Sequence, residues 1–451
     1  MAGAVTRGEL LRKVVHMSVG LIAFSLRFLG PYWATLLGAS ALLFNLFLLP
    51  RLGGRKLWRP SELDSGSSAG IVFYPLAVLI LVIVFGVFGQ RLEVAASAWG
   101  ILAFGDGMAS LCGMSFGRRK LPWNPRKSWV GSAAYVLFGI VAAAVLLVWT
   151  APGRYTWGFA FAVAFATALL AAALESLPQG LDDNIGVPLI SGLFLLGLVL
   201  TQGRWDGFLA DDGLPVRLLL AVLVNAALAG AAYKARTVDL SGVAAGFLVG
   251  FVIYAFLDWE GYLLLLAFFI IGSACTKFGY RKKAAAKLAQ EKGGRRGARH
   301  ALANAGVATA CALLAALTPY PVLFALAFAG AFATAVADTS SSEIGQLLGR
   351  RTFLITTFRP VPRGTEGAVS LEGTLAGIAA SLVIAALGAA LGLYPWAGVA
   401  AVVLAAFVGT TFESVVGAAL EKRNLLDNEA LNFLNTFVGA LIAAAFTPWV
   451  S

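Results

Sequence analysis

Charge is scarce in this chain. Of its 451 residues only 13% are charged and 59% are hydrophobic, and a soluble domain of that length would need far more polar surface to stay in solution. Histidine and cysteine are rarer still, with two and three residues. Cys112, Cys275 and Cys311 stand alone in or beside apolar segments with no C-x-x-C pair, which argues against a disulfide framework or a zinc site. They read as small packing groups. Also missing are a G-x-x-x-x-G-K-[ST] loop and an H-E-x-x-H motif, so the enzyme classes built on those motifs lose their main support. No cleavable signal pattern is expected, because Met1 to Lys13 is basic and amphipathic and leads straight into an apolar run. The net charge of +11 raises nucleic acid as a partner. The basic residues, however, lie in short loops between apolar runs and not on an aromatic-studded soluble face, so no nucleic-acid binding is expected.

What the chain does have is apolar runs of membrane-spanning length from end to end. In lipid each run must satisfy its own backbone polar groups, so the expected fold is all-α, a polytopic integral membrane protein. Spans are predicted near 14–30, 31–49, 69–89, 94–112, 129–150, 156–177 and 185–201, then 214–232, 240–257, 260–276, 301–317, 320–337, 374–393, 396–416 and 431–449, about fifteen in all. Seven precede the polar stretch Gln202 to Asp212 and eight follow it, giving two divergent halves, 1–203 and 214–451. Threading the chain with its N-terminus inside places 29 of the 34 Lys and Arg residues on the cytoplasmic side, as the positive-inside rule requires. The longest hydrophilic loop, Lys277 to His300, reads either as an amphipathic segment on anionic lipid or as a solvated charge run that sets topology.

Two cytoplasmic loops share one order of parts. The first, AFGDGMASLCGMSFGRRKLPWNPRKSWVGS, opens with Asp106 at a span end, where an ionised carboxylate is costly unless it serves a site or a metal. Glycines Gly105, Gly107, Gly113 and Gly117 stand around and after it, then come the cations Arg118, Arg119, Lys120, Arg126 and Lys127, then Ser128 at a helix start suited to an anion. The second, AVADTSSSEIGQLLGRRTFLITTFRPVPRGTEGAVSLEGT, opens with Asp338 and Glu343, continues through Gly345 and Gly349, and supplies Arg350, Arg351, Arg359 and Arg363 before Gly364 and Thr365. Downstream of each loop lies a further acidic element. In the first half it holds Glu175, Asp182, Asp183 and Asn184; in the second, Glu413, Asp427, Asn428 and Asn432. The separations are similar, 69 residues from Asp106 to Glu175 and 75 from Asp338 to Glu413. We infer a divergent internal duplication, and carboxylates beside a cationic loop suit a Mg²⁺-nucleotide. Each part also has a plain structural role as a helix cap, topology signal or packing glycine; the recurrence of the whole set favours the site. His16, in RKVVHMSVG, and Asn304, in RHALANAG, occupy similar places before spans and are further candidates.

RKVVHMSVG together with GDGMASLCGMSFGRRKLPWNPRKSWVGS resembles the phytol kinase and dolichol kinase family, over roughly residues 7–201. ADTSSSEIG, TTFRPVPRGTEGAVSLEGT and the ANAG element resemble the phytyl-phosphate kinase family, over roughly 220–449. The resemblance implies CTP as phosphoryl donor. It also implies Asp106, Lys120, Lys127 and Ser128 for a first nucleotide site, and Asp338, Glu343, Arg363, Gly364 and Thr365 for a second. Glu366 departs from the amide expected after the Gly-Thr pair.

The expected function is a two-site membrane kinase that converts a prenol such as phytol, geranylgeraniol or farnesol through its monophosphate to the diphosphate. Active sites would face the cytoplasm of the cell or inner membrane. Phosphoryl transfer is mainly positioning and charge neutralisation. Asp106, Glu175, Asp338 and Glu413 are therefore the catalytic candidates, and Asp106, Asp183, Asp338, Glu343 and Asp427 the Mg²⁺ candidates. The phosphates of a nucleoside triphosphate would meet Lys120, Arg126, Lys127, Ser128, Arg350, Arg359, Arg363, Gly364 and Thr365, with the prenyl tail among the spans. The rivals are a cytidylyltransferase acting on a lipid phosphate, which needs the same parts, and a transporter, for which midplane acids would be expected.

Overall fold

The computed structural model describes residues 7–52, 69–177, 183–285, 296–365, 367–420 and 428–450. Asp182, Glu366 and Asp427 lie outside the described residues. The chain divides into two compact units, Met1–Val199 and Leu200–Ser451. Both are helical, and twelve described helices are long and apolar enough to cross a bilayer. The protein is an integral membrane protein.

The count differs from about fifteen at three places. The first expected span is the helix Arg7–Gly20, basic at its start, followed by a tight 3₁₀ stretch, Leu21–Arg27. The spans expected at 240–257 and 260–276 form one run, Leu240–Lys277, interrupted at Asp258 with φ 54° and ψ −158°. A straight helix of that length would reach roughly 57 Å, about twice the hydrocarbon core, so the break marks a turn between two passes. The last, Asn428–Ala445, carries the buried amides Asn432 and Asn435, which lower its apolar character.

Spacing along a helix explains which faces are buried. In Trp157–Ser176 the residues Trp157, Phe161, Phe165 and Leu169, four apart, are exposed, whereas Ala160, Ala164, Ala168 and Ala171 are buried. Large side chains thus meet lipid, and alanines let helices approach closely.

In the first unit, Trp129–Thr150 packs against Trp157–Ser176, Leu92–Gly100 and Asp106–Phe116. In the second, Pro321–Leu348 is central and contacts Leu240–Lys277, Ala298–Leu317, Leu371–Ala390, Gly398–Leu420 and Asn428–Ala445. Its sequence, ALAFAGAFATAVA, is made of small residues where neighbours crowd. A Cβ on Gly330 would sit 2.6 Å from Ala443 Cβ and 2.9 Å from Gly439 O. One element was not expected. Thr352–Leu354 and Ala368–Ser370 form an antiparallel hairpin with Thr352 opposite Ser370, within the second cationic loop. β-branched and aromatic residues in TFLITTF favour extended pairing once the loop leaves the helices.

Candidate functional site

In the first unit, Leu92–Gly100 continues through a π-helical turn, Ile101–Gly105, into Asp106–Phe116. Such turns widen the helix by one residue and recur at functional sites. Asp106 follows directly. The helix Arg7–Gly20 packs against this segment and brings Lys13 Nζ to 2.6 Å from Asp106 Oδ2. Ser110 Oγ lies 3.5 Å from Asp106 Oδ1. His16 Nε2 is 3.0 Å from Leu102 O and 3.6 Å from Asp106 Oδ2; since a carbonyl only accepts, Nε2 carries the proton in the shorter contact.

The loop that follows is tied down. Lys120 and Ser128 form a bridge, and Asn124 Nδ2 and Trp123 Nε1 donate to Ser176 O and Oγ at 3.1 and 3.2 Å. These bonds seat Lys127 on Glu175, the residue before Ser176, with Asp183 Oδ2 at 3.7 Å. Burial opposes the charge on Lys127, but the Glu175 carboxylate, then Asp183 and Asp106, outweigh it and hold the ammonium above its ordinary range.

A compact frame supports this loop. Ser128 caps the helix Trp129–Thr150, accepting from Gly131 N at 3.1 Å. A Cβ on Gly117 would collide with Gly113 O and Ser128 Oγ, and one on Gly113 would stand 3.2 Å from Ser128 Oγ, so only glycine allows the closure. The resulting cavity, about 1010 Å³, is lined by Asp106, Glu175, Lys120, Arg126, Lys127 and Ser128, and also by Arg12 and Lys13.

The same frame recurs in the second unit. Gly345, Gly349, Ser370 and Gly373 stand as Gly113, Gly117, Ser128 and Gly131 do. Ser370 caps Leu371–Ala390 by accepting from Gly373 N at 3.2 Å, and a Cβ on Gly349 would collide with Gly345 O and Ser370 Oγ. Gly113 and Gly345 each lie seven residues beyond the acids Asp106 and Asp338, and Ser342 Oγ is 3.4 Å from Asp338 Oδ1 as Ser110 is from Asp106.

The acids themselves differ. Asp338 and Glu413 neighbour each other, and Asn435 Nδ2 donates to Glu413. Neighbouring carboxylates repel each other unless a proton or a cation lies between them. The cavity here, about 1390 Å³, is lined by Asp338, Glu413, Arg363, Gly364, Thr365, Asn428 and Asn432 among others. Gly364, with φ 83°, lets the chain turn at the rim.

Several expectations need correction. Glu343 lines this cavity, but its carboxylate is engaged by Lys283, whose ammonium also donates to Cys275 O and Thr276 O. Among the described residues no three His, Cys, Asp or Glu side chains gather into a metal cluster; Asp427 lies outside the described residues. Arg350 and Arg359 do not line the cavity: Arg350 N donates to Glu372 Oε1 at 3.2 Å, and Arg359 O accepts from Leu354 N in the hairpin. Asn304 is buried and donates to His300 O at 2.9 Å, a bond within its own helix. His16 packs on Tyr74 with ring centroids 4.4 Å apart, and neither it nor Asp183 nor Asn184 lines the first cavity. Lys13, Asn435 and Lys283 were not among the expected site residues. Each comes from a segment distant in sequence from the acid it serves, so sequence spacing did not pair them.

Residues 223–440 match the family described as Integral membrane protein DUF92. An uncharacterized membrane protein of Synechocystis sp. is 45% identical over 231 residues, 50% of this chain and 89% of the relative. Protein VTE6, chloroplastic, of Arabidopsis thaliana is 40% identical over 217 residues, 47% of this chain and 65% of the relative. A protein named phytol kinase, from Synechocystis sp., is 33% identical over 203 residues, 42% of this chain and 79% of the relative. No solved structure matches the chain. With its membrane-spanning helices and a relative covered over most of its length at this identity, the chain belongs to the DUF92 family of integral membrane proteins.

Proposed function

We propose that this protein is a membrane kinase of isoprenoid alcohols that works in two steps, prenol to monophosphate in the first unit and monophosphate to diphosphate in the second. The observation that carries this reading is the recurrence of one acid, glycine and serine frame beside a cation-bearing cavity in each unit. The relatives named phytol kinase supply the substrate class. CTP is the proposed donor, by the resemblance of the loop motifs, and both sites are proposed to face the cytoplasm.

In the first cavity Lys120, Arg126 and Lys127 would hold the triphosphate, with Ser128 keeping the loop closed. Lys13 and Lys127 now neutralise Asp106 and Glu175. Phosphate oxygens would draw those ammonium groups away and leave a carboxylate free to take the proton of the alcohol. In the second cavity Arg363 and the backbone around Gly364 and Thr365 would hold the phosphates. The Asp338 and Glu413 pair fits a hard divalent cation better than Asp106 and Glu175 do, because each neighbours a carboxyl group and not an ammonium group. When bound, Mg²⁺ would neutralise charge on the transferring phosphoryl group.

The test is the purified chain with Mg²⁺, radiolabelled CTP or ATP, and a panel of prenols, with products resolved as mono- or diphosphate. A nucleotide-linked lipid in place of phosphorylated prenol would refute the kinase reading. Labelling that found Lys120 or Arg363 outside the cytoplasm would refute the orientation.

A further inference from the structure

Six buried side-chain nitrogen or oxygen atoms have no hydrogen-bond partner among the described residues, and three of them line the second cavity, while none lines the first. These are Arg296 Nη2, His300 Nε2 and Glu343 Oε1. A buried donor left unmade costs free energy, and a buried guanidinium costs more, so such groups normally have a partner or await one. Glu343 already has Lys283. Arg296 has no ion pair among the described residues, although it is only 6% exposed.

The placement of Arg296 is firmly built. Its backbone is pinned on both sides, with Arg296 N donating to Thr237 O at 3.0 Å and Asp239 N donating to Arg296 O at 3.2 Å. Its guanidinium lies over the Phe268 ring, 5.9 Å from the centroid, and against Gly272, where a Cβ would stand 2.9 Å from Nη2. Two residues on, the helix Ala298–Leu317 begins; Gly297 offers it no side-chain cap, and its first N–H, Ala298 N, donates to Ser241 Oγ at 3.1 Å. His300 is in its first turn. A guanidinium, an imidazole and the positive end of a helix therefore converge on one wall of the cavity. The acid on this wall, Asp239, accepts from Ser241 Oγ at 2.6 Å and Gly242 N at 2.9 Å through Oδ1, and a Cβ on Gly297 would stand 3.1 Å from its Oδ2.

Among the described residues the first cavity is lined by no buried side-chain atom without a partner, and a bulkier residue stands at a matching point. Seven residues past the capping Ser128 stands Tyr135, which lines the first cavity; seven past Ser370 stands Gly377. The second cavity thus has both room and an unused cation.

We propose that Arg296 and His300 form a seat for the phosphate monoester of the acceptor, so that the second cavity selects an already phosphorylated prenol. This rests on the two-step reading above. A phosphate group of the nucleotide has the same chemistry, and the test separates the two sources.

The full chain in nanodiscs, without Mg²⁺ so that no turnover occurs, is titrated with geranylgeranyl monophosphate, geranylgeraniol and CTP. Arg296→Gln should weaken monophosphate binding by roughly tenfold or more, with the alcohol and CTP unchanged. Weakened CTP binding with unchanged monophosphate binding would overturn the acceptor assignment. Unchanged binding of all three, with a lower unfolding temperature, would show that Arg296 only balances the charge of Glu343. If Arg296→Gln does not fold, Gly272→Ala serves instead. Its new methyl pushes the guanidinium aside while favouring the helix, and a several-fold loss of monophosphate affinity is expected, whereas wild-type affinity overturns the proposal. The two-step reading fails separately: an Asp338→Asn protein that still makes diphosphate refutes it, whatever Arg296 binds.

Discussion

The two units place an acid on the same frame and then surround it differently. Asp106 and Glu175 each face an ammonium group, from Lys13 and Lys127. Asp338 and Glu413 neighbour each other, with the amide of Asn435 on Glu413, while the buried Lys283 is paired with Glu343. A frame of glycines and a capping serine fixes where an acid stands; it does not fix what the acid does. Charge compensated by lysine suits a carboxylate released only when phosphates arrive, and paired carboxyls suit a cation seat.

The sharpest way to break this comparison is to remove one acid at a time. Asp106→Asn should abolish phosphorylation of prenol yet leave added prenyl monophosphate a substrate, and Asp338→Asn should halt the protein at monophosphate. Mass analysis of products reads both, and a folded variant that lost both steps would show that the units are not separate sites.

Next in size is Arg363→Ala. Loss of a phosphate-clamping arginine at the second cavity should slow the second step by roughly 30- to 1,000-fold, about 2 to 4 kcal/mol of transition-state stabilisation, with the first step unaffected. Accumulation of monophosphate in a time course checks it.

The lysines give a stability contrast. Lys283 and Glu343 have side chains only 1% and 5% exposed, so Lys283→Met leaves a buried carboxylate unpaired and should cost about 3 to 5 kcal/mol. Lys127 is 33% exposed against 11% for Glu175, and Lys127→Met should cost clearly less because water can reach the site. Thermal unfolding in detergent compares them; equal losses would contradict the difference in burial.

The smallest effect sharpens what the units share. Ser128→Ala and Ser370→Ala each remove a helix cap with nearly the same geometry, 3.1 and 3.2 Å to Gly131 N and Gly373 N, and should each cost about 1 kcal/mol. Unequal costs would mean that the two frames are not equivalent.

Hydropathy alone was enough to reveal a helical membrane protein, because in lipid the backbone must pair within each helix and a run of apolar residues has few other uses. It also revealed where the polar loops begin, and the kink at Asp258 falls between the two spans expected there. Cation-bearing loops, glycines and opening acids were legible because they lie close together in sequence. Partnership was not. Lys13 reaches Asp106 across 93 residues, Lys283 reaches Glu343 across 60, and Asn435 reaches Glu413 across 22. A lysine in a basic loop looks the same in sequence whether it faces water or a buried carboxylate. Glu343 shows the consequence. Five residues after Asp338 in a polar run, it read as a second metal ligand. A step of five along a helix turns its side chain well away from that of Asp338, and Lys283, packed against that side, claims it. Composition and periodicity determined which solvent the chain lives in and which segments leave it. Only the packing of helices decided which charges meet, since pairing depends on faces and crossing points that distant segments set together.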